Sequence, residues 1–206
     1  MNLEPFQPKY DIVLIDPPWP YYGDGQKHGA AAKHYDLMTA KQINELPVRA
    51  LFRTKDGVVF VWATAPKLDL AIDAIRAWGL HYRGVAFVWT KTRRDGAIIG
   101  AQGVRATVTK PTSEFVLTAT TKPRGRPFPL LDETVRQDVL APKGRHSEKP
   151  YEVHKRIERL YGDRPRIEVF ARTGREGWDC WGLEAPPLTL DATANAATFD
   201  SGGYHQ

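Results

Sequence analysis

An α/β fold with a mostly parallel sheet follows from three features of the sequence. Short apolar runs alternate with segments of helical periodicity, as in βαβ units. Most of those runs are continuously apolar rather than alternating, as in strands buried on both faces. The chain, at 206 residues, is long enough for one sizeable core and short for two domains.

The elements follow in order. The first strand is predicted over Tyr10–Asp16, around the run Ile12-Val13-Leu14-Ile15, and the second over Gly57–Ala63. A helix then starts at about Pro66, a favoured first-turn residue. Its apolar stripe is Leu68, Ala71, Ile72, Ile75 and Trp78, and Gly79 stops it. Strands are predicted over Tyr82–Thr90 and Glu114–Thr120. A second helix runs from about Ser147 or Glu148 to Tyr161, with Pro150 early, Val153, Ile157, Leu160 and Tyr161 on one face, and Gly162 at its end. The last predicted strand is Arg166–Ala171. Residues 185–206 contain no lysine or arginine and are largely Ala, Thr, Gly and Asp, which predicts a disordered tail behind a single domain at 1–184.

Composition narrows the class. Hydrophobic residues make up 42% and charged residues 26%, ordinary for a globular protein. No apolar stretch approaches the roughly 20 residues that span a bilayer, and the N-terminus has no signal-peptide pattern. The expectation is an intracellular, cytoplasmic protein. The lone Cys180 forms no internal disulfide. The six histidines (28, 34, 81, 146, 154 and 205) show no ligand spacing, so no metal is predicted. Charge is uneven: residues 91–126 hold eight basic residues against Asp95 and Glu114, or +6, where the whole chain carries +5. That stretch is Gly-rich as well. It reads as a phosphate-contacting loop beside a site, or as a solvated basic surface.

The most informative residues are Asp16-Pro17-Pro18-Trp19, at the end of the first strand. A carboxylate, a rigid proline pair and a large aromatic suit the holding of a flat, amine-bearing ring. Asp16 accepts a hydrogen bond from an exocyclic amine. Pro17, which lacks an N–H and has a fixed φ, presents its carbonyl as a second acceptor. Trp19 offers a face for stacking. Two acceptors pulling on the hydrogens of an amine conjugated with its ring favour a pyramidal, more nucleophilic nitrogen. The same residues also describe a strand that ends in a Pro-Pro turn beside a core tryptophan.

Asp-Pro-Pro-Trp resembles the catalytic signature of the adenine-N6 methyltransferases, a family that includes the mRNA adenosine methyltransferases and many bacterial and phage DNA adenine methyltransferases. Further segments match in order: His34-Tyr35-Asp36-Leu37-Met38-Thr39 with Ile43, Gly57-Val58-Val59-Phe60-Val61-Trp62-Ala63-Thr64, and Trp78-Gly79 leading to Phe87-Val88-Trp89-Thr90-Lys91. Near the C-terminus, His146-Ser147-Glu148-Lys149-Pro150, Ile167-Glu168-Val169-Phe170-Ala171-Arg172 and Gly177-Trp178-Asp179-Cys180-Trp181-Gly182 match the cofactor-binding end. The similarity covers residues 10–184.

The resemblance implies a Rossmann-like, S-adenosylmethionine-dependent methyltransferase fold with permuted motif order, the catalytic motif first and the cofactor motif last. That order accounts for the absence of a G-x-G-x-x-G loop after the first strand. Ligands of open parallel sheets bind at the carboxyl ends of the strands, so Asp16 and Arg172 share a crevice if the first and last predicted strands are neighbours. The implied cofactor is S-adenosyl-L-methionine. By similarity, Lys149 holds its carboxylate, aided by a helix N-terminus, and Glu168, Arg172, Gly182 and Glu184 line the rest. A carboxylate within an apolar strand is costly unless paired, so Glu168 alternatively pairs with Arg172 or another cation. Trp178 and Trp181 either wall the pocket or fill core. Leu183 stands where the family often has Asn, which removes a polar contact.

On the substrate side, Tyr35 matches a base-proximal tyrosine of the family, while Tyr22, beside Tyr21, stacks on nucleotides or packs its own loop. Arg93, Arg94 and Arg105 are the phosphate-contacting candidates. The chemistry expected is direct displacement, with catalysis by positioning and electrostatics, and base flipping if the substrate is duplex DNA. DNA is the leading substrate and RNA the alternative, in a bacterial or phage-type setting. A non-catalytic nucleic-acid-binding partner subunit is a third reading, opposed by the intact Asp16-Pro17-Pro18-Trp19. Specificity is expected from loops or from a partner subunit in a homodimer or heterodimer.

Overall fold

The structure is a computed structural model that describes residues 9–20, 38–100, 108–144 and 148–182. Its strands are β1 (Ile12–Ile15), β2 (Val58–Thr64), β3 (His81–Thr92), β4 (Ser113–Thr120), β5 (Asp138–Pro142), β6 (Arg166–Val169) and β7 (Asp179–Trp181). Three α-helices join them: α1 (Ala40–Asn44), α2 (Leu68–Ala77) and α3 (Tyr151–Tyr161). The strands form one sheet in the order β5-β3-β4-β2-β1-β6-β7. Pairings are parallel except those of β4, which runs against both β2 and β3.

β1 lies between β2 and β6, with Ile15 opposite Val61 on one side and Val169 on the other. All four of its residues are fully buried, because apolar layers cover both faces. Val13 and Ile15 point into a cluster with Ile43 of α1 and Ala71, Ala74 and Ile75 of α2. Ile12 and Leu14 point into one with Val153 and Ile157 of α3. Placing these branched apolar side chains at the centre contributes about 1.5–3 kcal/mol each by area transfer. The chain goes to β2 on one side of β1 and returns through α3 to β6 on the other. The C-terminal end of β1 is therefore a topological switch point, where such sheets bind ligands.

All five predicted strands exist, with shifts at their ends. β3 is longer than predicted and carries two register shifts, between Tyr82 and Gly84 and between Val85 and Phe87, as at bulges. The last predicted strand stops at Val169, two residues short of Ala171. There the chain turns through Phe170, whose φ of +64° is sparsely populated outside glycine. The helix expected from Ser147 or Glu148 begins only at Tyr151: Pro150 is its extended N-cap, and a proline disfavours helix in the residue before it. Its end is as expected, with Gly162 at φ +70°. The helix expected from Pro66 begins as a 3-10 turn over Ala65–Lys67 before α2.

The sequence reading did not include α1, β5 or β7. α1 is only five residues long but has a complete capping box between Thr39 and Gln42. β5 is an edge strand that ends in Pro142, a placement edge strands tolerate. β7 has three residues and too little pattern to be legible. The tail at 185–206 lies outside the described residues. Among the described residues, no helix is long and apolar enough to cross a membrane.

Candidate active site

Asp16 follows β1, and its backbone N–H donates to the Val169 carbonyl across the sheet (3.3 Å). The prolines fix the next turn. The Pro17 carbonyl accepts from the Trp19 N–H (2.8 Å), leaving one lone pair, and the Pro18 carbonyl accepts from Met38 N–H (3.1 Å). Trp19 is only 9% exposed. Its indole N–H donates to the Trp62 carbonyl of β2 (2.9 Å). This tryptophan is thus pinned into the core cluster shared by α1 and α2, more an anchor of the motif than an open stacking plate.

Four charges alternate outward from Asp16. Lys149 Nζ lies 2.8 Å from Asp16 Oδ2 and 3.3 Å from Glu114 Oε2. The other Glu114 oxygen accepts from Lys91. Each ammonium also sits over an indole: Lys149 at 5.4 Å from the Trp62 ring and Lys91 at 5.1 Å from that of Trp89. Those two rings meet edge to face at 6.1 Å. Cations on tryptophan faces gain from the ring quadrupole. The four come from different parts of the chain: the end of β1, the residue before Pro150, the start of β4 and the end of β3.

Burial and neighbours set the protonation of this row. Burial pushes the Asp16 carboxyl up, Lys149 offsets that only in part, and Glu114 and Glu168 add to the rise. Burial acts on Glu114 in the same direction, but Lys149 and Lys91 together outweigh it and hold that carboxyl below its ordinary value. Burial works against the charge on Lys149; Asp16 and Glu114 outweigh it and hold the ammonium firmly protonated. A carboxylate raised by desolvation is a stronger acceptor toward a neutral amine than one saturated by cations.

A second carboxylate lies on the neighbouring strand. Glu168 of β6 is buried, with Oε2 at 2.9 Å from His154 Nε2 and 3.4 Å from Arg175 Nε. Burial raises its carboxyl, but His154 and Arg175 prevail and lower it. The partners expected of Glu168 thus resolve to His154 of α3 and Arg175. Arg172 is half-buried just past the turn at Phe170. Gly182 follows β7, where an added Cβ would fall 2.1 Å from the Ala171 carbonyl; backbone packing alone accounts for glycine there. Trp178 is core, its indole N–H on Glu158 Oε1 (2.7 Å), while Trp181 packs edge-on to Phe170 (5.7 Å).

Of the substrate-side candidates, Arg93 and Arg94 lie in a tight turn closed by Gly96 N–H to the Arg93 carbonyl (3.0 Å) and Arg93 N–H to the Ala97 carbonyl (2.8 Å). That turn follows β3 at the same sheet end as Asp16. Arg93 is 65% exposed beside Asp95. Tyr21, Tyr22, Tyr35, Arg105, Leu183 and Glu184 lie outside the described residues. Sequence reasoning missed Glu114, Lys91 and Trp62 as members of the site. The signal for Glu114 was present, since a carboxylate at the head of an apolar strand poses the same burial problem as Glu168.

A mostly parallel α/β sheet with an acceptor motif and a charged crevice at its switch point has the layout of a Rossmann-like methyltransferase. This chain belongs to the MT-A70 family, whose model matches residues 10–184. It is 33% identical over 200 residues to the type II methyltransferase M.MunI of Mycoplasma sp, covering 89% of this chain and 81% of that one. It is 30% identical over 167 residues to the N(6)-adenosine-methyltransferase MT-A70-like protein of Drosophila melanogaster. To the N(6)-adenosine-methyltransferase catalytic subunit METTL3 of Homo sapiens it is 25% identical over 165 residues. Of those two relatives the chain spans about a quarter of the length (24% and 26%).

Proposed function

We propose that this protein is an S-adenosyl-L-methionine-dependent methyltransferase that acts on N6 of adenine in DNA. The observation that carries this reading is Asp16 at the switch point, desolvated and sharing Lys149 with Glu114. The DNA assignment is supported by the likeness to M.MunI over most of both chains. RNA is the second reading, supported by the N(6)-adenosine-methyltransferase relatives.

The residues present fit the cofactor. Lys149 offers a protonated ammonium for a carboxylate, and the under-compensated Asp16 offers a carboxylate that suits a sulfonium or an α-ammonium. Glu168, Arg172 and Gly182 sit together at the ends of β6 and β7, with Glu184 two positions further along the chain. When bound, S-adenosylmethionine supplies an electrophilic methyl group. Asp16 accepts a hydrogen bond from the target amine, and the free lone pair of the Pro17 carbonyl accepts a second. Together they sharpen the nitrogen lone pair by positioning and electrostatics. After transfer, the cationic amine gives its proton to Asp16 or water. Tyr22 and Tyr35 are assigned to the base, and Arg93, Arg94 and Arg105 to the backbone phosphates.

The deciding experiment is incubation of the purified protein with methyl-labelled S-adenosylmethionine and a panel of DNA and RNA oligomers. Label in DNA N6-methyladenine supports the proposal. Label in RNA alone overturns the DNA assignment, and label in neither overturns the activity.

A further inference from the structure

The outer end of the charge row has no place in the chemistry above. Lys91 donates to one oxygen of Glu114, and the other oxygen faces Lys149, which in turn faces Asp16. Glu114 thus has two cations, while Lys149 is one cation between two half-buried carboxylates. Lys91 is itself held firmly. Its ammonium lies over the Trp89 ring, its N–H donates to the Thr112 carbonyl (2.9 Å), and its carbonyl accepts from Ile99 N–H (2.9 Å). Those backbone bonds close the base of the segment whose turn carries Arg93 and Arg94.

We infer that Lys91 is a positioning residue for methyl transfer: by holding Glu114 it leaves Lys149 on Asp16, and so fixes the carboxylate that receives the target amine. This inference rests on the proposed role of Asp16. A buried carboxylate that loses a cation either protonates or recruits another one. With Lys91 gone, Glu114 draws Lys149 away from Asp16, and the Asp16 carboxyl loses the cation that offsets its burial. The charged groups around Glu114 are Lys91 from β3, Lys149 from the segment before α3 and Asp16 from the end of β1. Glu168 acts on Asp16 from β6. Lys91 touches no reacting atom in this scheme. Because its backbone also closes the stem below Arg93 and Arg94, the acceptor row and the proposed phosphate-contacting turn share one rigid residue.

The test is steady-state kinetics on Lys91→Met and Lys91→Arg, each also made in a Glu114→Gln background, with carboxyl carbon NMR titration of the ligand-free proteins. Lys91→Met is expected to lower kcat by about tenfold or more with DNA KM and S-adenosylhomocysteine affinity held within about threefold. The acid limb of its pH–rate profile should move to higher pH, and the Glu114 carboxyl should titrate higher than in the wild type. Lys91→Arg, which keeps the charge, should recover most of kcat. In the Glu114→Gln background, Lys91→Met should cost under about threefold, since the group it acts through is gone. A Lys91→Met enzyme with wild-type kcat and pH profile overturns the inference. So does one that loses only DNA affinity, or one whose loss is undiminished in the Glu114→Gln background. A wild-type protein that transfers no methyl group overturns the proposed function as well, whereas an active wild type with an indifferent Lys91 overturns this inference alone.

Discussion

Two carboxylates lie at the same end of the sheet, Glu168 buried in β6 and Asp16 half-buried just past the neighbouring parallel strand β1, yet their surroundings drive them in opposite directions. Glu168 has Arg175 and the His154 ring on a single oxygen, and its carboxyl is lowered. Among the described residues Asp16 has only Lys149, which it shares with Glu114, and its carboxyl is raised. The difference lies in how the cations are distributed. Glu168 is a saturated anion that fixes α3 and the segment after β6 to the sheet. Asp16 is under-compensated, and so retains acceptor capacity for an incoming amine. One strand of separation divides a structural ion pair from a reactive one.

Removal of Asp16 should have the largest effect. Asp16→Ala is expected to lower methyl transfer by roughly a hundred- to a thousandfold while circular dichroism and thermal melting show a folded protein. Near-wild-type turnover by a folded variant would exclude Asp16 as the amine acceptor.

The pH dependence of stability separates the two carboxylates by sign. Because Asp16 has a higher pKa folded than unfolded, its charge costs stability above both values, and the cost fades as pH falls through the folded one. Asp16→Asn should therefore raise Tm at neutral pH. Glu168 has a lower pKa folded than unfolded. Its contribution is present above the ordinary carboxylate range and is lost as pH falls through the lowered value. Glu168→Ala should cost ~3 kcal/mol at neutral pH, as for a broken buried pair, and less in acid. Melting curves of both variants from neutral pH into acid check this; equal signs would remove the distinction between the two strands.

Much of this contrast was legible in the sequence. Strands β1, β2, β3, β4 and β6, helix α2 and the stop of α3 followed from apolar runs and Gly162, because these depend on local periodicity and backbone freedom. Asp16, Lys149 and Glu168 stood out as charges or motif residues against apolar neighbours. The pairings were not legible. Glu114 meets Lys149 only because β4 inserts antiparallel between β2 and β3, and no local pattern encodes strand order. His154 is, in the sequence, only one of six histidines without ligand spacing; the packing of α3 onto β6 brings its ring to Glu168. Trp19 could be read as a stacking plate because sequence does not show that its N–H is already taken by Trp62.

A smaller effect is expected at Lys149, which belongs to the Asp16 side of the contrast. Lys149→Ala should weaken S-adenosylmethionine binding by about 1.5–3 kcal/mol, the range for a hydrogen bond to a charged group. Titration calorimetry that shows unchanged affinity would remove Lys149 from the cofactor site and leave it as the partner of the two carboxylates. Arg175→Ala, on the Glu168 side, should instead lower Tm more than it lowers cofactor affinity.

The smallest effect on chemistry is expected furthest from either carboxylate, at the basic turn. Arg93 is largely exposed, and its acidic neighbour Asp95 is 3.7 Å away, a weak surface pair. An exposed pair of this kind contributes little to stability. Replacing Arg93, Arg94 and Arg105 together with Ala should therefore leave Tm and cofactor affinity almost unchanged. If these side chains meet phosphates, the triple variant should raise the DNA KM and flatten the plot of log affinity against log salt by up to about three units of slope. kcat at saturating DNA should hold, because phosphate contacts position the substrate without entering the chemistry of the acceptor row. A wild-type salt slope in the triple variant would identify the turn as plain solvated surface. A fall in kcat at saturation would instead show that the stem at Lys91 transmits the loss to Glu114.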